Sequence, residues 1–184
     1  NIIFGGSDPA IPNLVASDIT VTHNYLTKPL AWQTESGWTV KNLFELKSAR
    51  RITIRRNLFE QNWTDAQTGF GILMKVVNQD GTAPWSVLED VLFEQNLIRN
   101  TENGFNLFGY DYAHPSGRAT RITIRNNLVL TPGVAFQFGG EIGDLVIDHN
   151  TIDQGAMLVS LYKGTVWPTG AAAGTGDDNL VLKA

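Results

Sequence analysis

Residues 121–129 read Arg121 Ile122 Thr123 Ile124 Arg125 Asn126 Asn127 Leu128 Val129, and the pattern inside them recurs along the chain. That pattern is apolar, any, apolar, any, any, Asn, any, apolar. Its five copies occupy 19–26, 52–59, 91–98, 122–129 and 145–152, with the asparagine at Asn24, Asn57, Asn96, Asn127 and Asn150. Successive asparagines are 33, 39, 31 and 23 positions apart, so one unit needs 23 residues and the others carry insertions, as repeat architectures allow.

The first two apolar positions of each copy lie two apart and are mostly β-branched, the signature of a short strand with one face buried. Asparagine tolerates the left-handed backbone region better than other non-glycine residues, so its fixed offset predicts a corner there. Downstream lies a second strand, often opened by glycine, as in Gly104 Phe105 Asn106 Leu107 and Gly133 Val134 Ala135 Phe136. If such coils stack in register, equivalent residues lie about 4.8 Å apart and must tolerate one another. Just before each first strand the column reads Asp18, Arg51, Asp90, Arg121, Asp144, alternating in sign at every step. A second outward column, Thr22, Arg55, Glu94, Arg125, Asp148, again places no like charges side by side. Each exposed pair is worth only about 0.2–1 kcal/mol, yet a slip by one coil would bring like charges together. The ladders predict register, not catalysis.

With these repeat units and the asparagine column, the chain resembles the right-handed parallel β-helix proteins of the pectate-lyase-like superfold over nearly its whole length. The resemblance implies an all-β, right-handed parallel β-helix solenoid of about six coils. The 1–184 chain is read as a single domain, with loop insertions at one corner. Val146 Ile147 Asp148 His149 partly matches a pectate-lyase pattern, but the repeat unit alone accounts for it. Gly176 Asp177 Asp178 resembles the paired aspartates of polygalacturonases, whose companion motifs are absent, so no catalytic assignment follows from either.

Composition sets further bounds. Of 184 residues 42% are hydrophobic and 17% charged, below the roughly 25% charged of ordinary soluble domains, which suits stacked coils. Net charge is −4 and the strand arginines alternate with acids, so no basic stripe exists and nucleic acid is not an expected partner. There is no cysteine, hence no disulfide framework, and no apolar run long enough to span a membrane is present. Ile2 Ile3 Phe4 Gly5 Gly6 resembles Phe136 Gln137 Phe138 Gly139 Gly140, and Asp178 Asn179 Leu180 Val181 Leu182 resembles another first strand. Both ends thus fall in mid-coil. Uncapped coils present unpaired edges, so the expectation is a fragment with missing flanking coils, or end-to-end self-association.

The chemistry-bearing residues sit in the connections. Segments 27–38, 61–69, 78–86, 110–119 and 163–177 are read as loops at a single corner, lying over outward Leu73, Phe108 and Val159 of the second strands. Trp32, Trp38, Trp85 and Trp167 are then packing plugs more often than sugar platforms. Asn62 Trp63 Thr64 matches the N-glycosylation sequon. His23 and His149 lie four coils apart, about 19 Å, and cannot share a zinc. Asp80, Asp111 and Glu141 follow second strands on successive coils and are the candidate calcium ligands, with solvated turn formers as the plainer reading. Hydrolysis of a glycosidic bond needs two carboxylates about 5–9.5 Å apart, which makes Asp111 and Glu141, with His114, the catalytic candidates. Trp85, Tyr110, Tyr112 and Arg118 would hold the sugar. For β-elimination, the lyase chemistry of the superfold, Lys75, Arg118 and His114 are the available cationic or titratable groups. The sequence therefore points to a carbohydrate-active protein, extracellular or periplasmic, with a polysaccharide as partner. A non-catalytic surface, adhesion or structural scaffold is the alternative.

Overall fold

This is a computed structural model of the protein that describes residues 1–35, 39–162 and 180–182; Trp38, Trp167, the 163–177 loop and Asp178 lie outside them. The fold is all-β, with three parallel sheets and a short 3-10 turn at Leu30–Gln33. Sheet 1 holds the predicted first strands, β2 (Ala16–Thr22), β5 (Ala49–Arg55), β8 (Leu88–Glu94), β11 (Ala119–Arg125), β14 (Gly143–Asp148) and β17 (Leu180–Leu182). Sheet 2 holds β3 (Tyr25–Thr27), β6 (Leu58–Asn62), β9 (Leu97–Thr101), β12 (Leu128–Thr131) and β15 (Thr151–Gln154). Sheet 3 holds β1 (Ile2–Phe4), β4 (Phe44–Leu46), β7 (Phe70–Lys75), β10 (Asn103–Phe108), β13 (Val134–Gly139) and β16 (Met157–Leu161). The chain visits sheets 1, 2 and 3 in turn and then pairs each strand with its equivalent one coil away, the winding of a parallel β-solenoid. Each coil thus carries three strands where the repeat suggested two. The three to five residues after each asparagine form a sheet of their own.

The asparagines turn the corner by a different means from the one predicted. The left-handed residue is the one before each asparagine, at His23, Arg56, Gln95, Asn126 and His149, with φ between 50° and 57°. The asparagine side chains instead form a ladder. The Oδ1 of Asn96 accepts the backbone N–H of Asn57 at 2.9 Å and its Nδ2 at 3.0 Å, and Asn127 and Asn150 repeat the arrangement one coil on. The spare amide hydrogen donates to a sheet 1 carbonyl, Ile54 O in the case of Asn96. Buried backbone groups at the corner need partners, and the ladder supplies them with a side chain short enough to reach.

The charge columns pair as expected. Arg51 forms a two-pronged contact with Asp18 at 2.7 and 2.8 Å, Arg121 reaches Asp90 and Glu89, and Arg125 meets Glu94. The first column holds a second feature the sequence concealed. Asp18, Arg51, Asp90, Arg121 and Asp144 all adopt positive φ, between 50° and 59°, so every strand of sheet 1 that carries one bends at that residue.

Inside, one row of rings joins the sheets. Phe44, Phe59, Phe93, Phe105 and Phe136 follow one another at centroid distances of 6.0, 5.6, 5.2 and 5.0 Å, flanked by aliphatic columns such as Ile52, Val91, Ile122 and Leu145. Val159 belongs to this interior. It pairs in register with buried Phe136 and so faces inward, correcting its outward assignment. Loops occupy two corners instead of one. Residues 5–15, 76–87 and 109–118 connect sheet 3 to sheet 1, whereas 28–43 and 63–69 connect sheet 2 to sheet 3. Asn62, at the end of β6, is only 3% exposed, so the sequon is closed to a glycan in the folded chain.

On the outer face of sheet 2, Glu60 accepts hydrogen bonds from the Tyr25 hydroxyl at 2.6 Å and from Arg99 Nε at 2.7 Å. The Tyr25 bond, against the opposing effect of burial and with the help of Arg99, holds the Glu60 carboxyl below its ordinary range. A depressed carboxylate pKa stabilises the fold above the unfolded value and loses that contribution as pH falls through the folded one. Wild type should therefore melt above a Glu60→Gln variant at about pH 7, with the gap closing as pH falls below the ordinary glutamate range. A gap that stays constant in thermal scans across that range would contradict the assignment.

Candidate functional site

Alternation along the strands of sheet 3 sends every second side chain outward, and those outward residues line up across coils. Glu45, Leu73, Asn106, Gln137 and Ser160 form one such column, and Lys75, Phe108 and Gly139 form the next. Over them lies a groove of about 680 Å³. Leu73, Lys75, Asn106, Phe108 and Gln137 make its floor. Gln67 and Thr68 rise on one side, from the connection between sheets 2 and 3, and Tyr112 and Tyr162 on the other. Connections from both corners therefore frame one channel, which a single decorated corner would not do.

The floor has two characters. One is aromatic: the Phe108 ring stands edge-on to Tyr112 at 5.7 Å and to Tyr162 at 5.0 Å. Gly139 makes this possible, because a Cβ there would lie 2.4 Å from the Phe108 ring. The other is polar and unsatisfied. The Oδ1 of Asn106 is shielded from water and has no hydrogen-bond partner. Lys75 lies 5.5 Å from the Phe108 ring centroid, and among the described residues no carboxylate lies within ion-pair distance of it. Glu45, at the far end of the first column, is buried and held by Asn1 and Lys47, so it adds no free charge to the groove. Asn103 is likewise spent, donating to Thr68 O and accepting from Val134 N–H.

Compared with protein-family models, curated proteins and solved structures, the chain has no match. The chemistry of the groove rests on its own side chains.

Of the residues singled out from sequence, Lys75 and Tyr112 line the groove, over the outward Leu73 and Phe108, whereas Asp80, Trp85, Tyr110, Asp111, His114, Arg118 and Glu141 lie elsewhere. The proposed calcium ligands do not assemble. Among the described residues no three histidine, aspartate or glutamate side chains come together, and each of Asp80, Asp111 and Glu141 has a separate place. Asp80 lies in the 78–81 turn, its backbone N–H donating to Asp8. Asp8 takes two further bonds from Thr82, and although partial burial opposes them these bonds hold its carboxyl below the ordinary aspartate range. Asp111 uses both oxygens on backbone N–H groups, those of Asn78 and Ala113, each at 2.8 Å. Glu141 pairs with Arg118 at the corner. The Asp111 and Glu141 carboxylates, read as a hydrolytic pair, thus brace loops outside the groove lining. His114 contacts Asn78 O at 2.9 Å through Nδ1 and packs on Gly81. The Trp85 indole donates to Leu14 O, tying two loops together in the plug role. Tyr110 covers Gly140, where a Cβ would meet its ring at 2.8 Å, and lies 4.8 Å from Tyr112.

Sequence reasoning passed over Asn106 and Gln137. They sit 31 positions apart on neighbouring coils, and only the register of sheet 3 brings them together. The available signal was an outward column of amides where a solvated sheet would carry charge.

Proposed function

We propose that this protein is a right-handed parallel β-helix of the pectate-lyase-like kind that binds an acidic polysaccharide in the groove over sheet 3. The observation that carries the reading is the floor itself, where Lys75 and Asn106 lie unpaired beside the exposed edge of an aromatic cluster. A pyranose ring offers an apolar face for aromatic side chains and hydroxyls for amides, the mix such sites recognise. A uronate carboxylate supplies the charge that Lys75 lacks. Successive coils repeat at about 4.8 Å, close to the length of one sugar residue, so a chain laid across the strands would meet equivalent floor positions in turn. Hydrolysis requires two flanking carboxylates, and none lines the groove among the described residues; cleavage, if the groove performs it, would run by elimination. An extracellular or periplasmic setting, where such polymers occur, belongs to the same proposal.

The test is calorimetric titration with polygalacturonate and with a neutral glucan, alongside absorbance for unsaturated products. A charge-assisted hydrogen bond is worth about 1.5–3 kcal/mol, so Lys75→Met should weaken polygalacturonate binding by roughly 10- to 150-fold. Binding of the neutral glucan should be weak and indifferent to the change. If polygalacturonate does not bind, or binds Lys75→Met equally well, the reading fails and a scaffold role takes its place.

A further inference from the structure

Tyr112 is carried by the 109–118 connection, which has no helix or strand of its own, yet it forms one wall of the groove. Something must hold it there, and the bonds converge on Asp111. One carboxylate oxygen accepts the N–H of Ala113, spanning the Tyr112 backbone from the residue before it to the residue after it, at 2.8 Å. The other accepts the N–H of Asn78 from the neighbouring coil, also at 2.8 Å. Asn78 is 0% exposed and fully engaged: its Nδ2 donates to Pro115 O at 2.7 Å and its carbonyl receives His114. The far side of the loop is thereby pinned to the same anchor.

We propose that Asp111 is a positioning residue for the groove, fixing Tyr112 against Phe108 by bonding backbone on both sides of the loop; this rests on the glycan reading for its consequence but not for its geometry. The alternatives the sequence raised, general acid or metal ligand, need a free carboxylate oxygen turned to a ligand. Here each oxygen already takes a backbone hydrogen, which engages the carboxylate with the loop backbone, and the variants below separate the roles.

Asp111→Asn is nearly isosteric and separates these roles. The amide nitrogen would face one of the two N–H groups donor to donor, so one anchor is lost while the fold keeps its core. The protein is labelled with 3-fluorotyrosine, and the Tyr112 resonance is assigned by its disappearance in Tyr112→Phe. In Asp111→Asn that resonance should shift or broaden while Tyr25, on the opposite sheet, stays unmoved. Loss of one hydrogen bond corresponds to about 3- to 10-fold weaker polygalacturonate binding, and the loss should vanish when Asp111→Asn is made in a Tyr112→Ala background. A Tyr112 resonance that does not respond overturns the proposal. So does an affinity loss that persists in full without the tyrosine, which would mean that Asp111 touches the ligand itself. If no polysaccharide binds even wild type, the fluorine signal alone decides the positioning role, and only the glycan reading is lost.

Discussion

Asn96→Ala should destabilise the fold by about 2–6 kcal/mol, because it strands at least two buried groups, each costing roughly 1–3 kcal/mol. Asn96 is 3% exposed, its Oδ1 is shared by the N–H and the amide of Asn57, and its own amide bonds Ile54 O and Asn127 Oδ1. Truncation leaves the Asn57 donors and the Ile54 carbonyl without partners in a corner too tight to rehydrate all of them. Against a typical stability of about 5–15 kcal/mol, the loss approaches global unfolding. Asn24→Ala makes the contrast. Asn24 stands exposed at the start of the ladder, where water can replace what the amide supplied, and its removal should cost about 1 kcal/mol or less. Urea titrations of both variants measure the difference. Equal losses at the two positions would show that the ladder does not act through buried backbone satisfaction.

Phe93→Ala should cost about 3–5 kcal/mol, the range for emptying a fully buried phenylalanine site. Phe93 is 0% exposed and sits where the sheets meet. Its ring lies 5.6 Å from Phe59 of sheet 2 and 5.2 Å from Phe105 of sheet 3, while its own strand is in sheet 1. Phe59 bridges the three sheets in the same way, from sheet 2 to Phe44 of sheet 3 and Phe93 of sheet 1, and regular ladders on either side restrict collapse into the cavity. Phe108→Ala is the instructive comparison, since that ring lies on the outer face. Chemical denaturation should report a smaller loss there, with ligand affinity taking the larger share. If Phe93→Ala were as mild as an outer-face change, the ring row would be filler and not the joint between sheets.

Much of this architecture could be read before any coordinates, because stacking makes neighbours of residues that share a repeat position. The first strands, such as the one within the 122–129 unit, the charge columns and the asparagine column all follow from that periodicity. Its failures have physical reasons. Sheet 2 was missed because strands as short as Tyr25–Thr27 show no alternation long enough to separate from a turn. Val159 was assigned to the wrong face by an offset along its strand, whereas the register places it opposite Phe136 and hence in the Phe105 column. An odd offset in a strand exchanges its two faces. The groove was the least legible part. Lys75, Asn106 and Gln137 become a site only through inter-coil register, whereas Asp80, Asp111 and Glu141 drew attention as acids in loops. Local sequence could not reveal that backbone N–H groups would engage both Asp111 oxygens, or that Arg118 would pair with Glu141.

The ladder joins asparagines that are 33, 39, 31 and 23 positions apart in the chain, and its bond lengths barely change from rung to rung. Lengthening a flexible loop twofold adds only about 0.6 kcal/mol of closure entropy. The frame and its decorations are thus decoupled. A gene for such a coil can gain or lose codons between rungs while the rungs stay in step, so the walls of the groove are free to diversify over an inherited spine. Grafting a foreign segment in place of 79–82 should leave the spine intact, and new specificities would arise at the rim long before the core records any change.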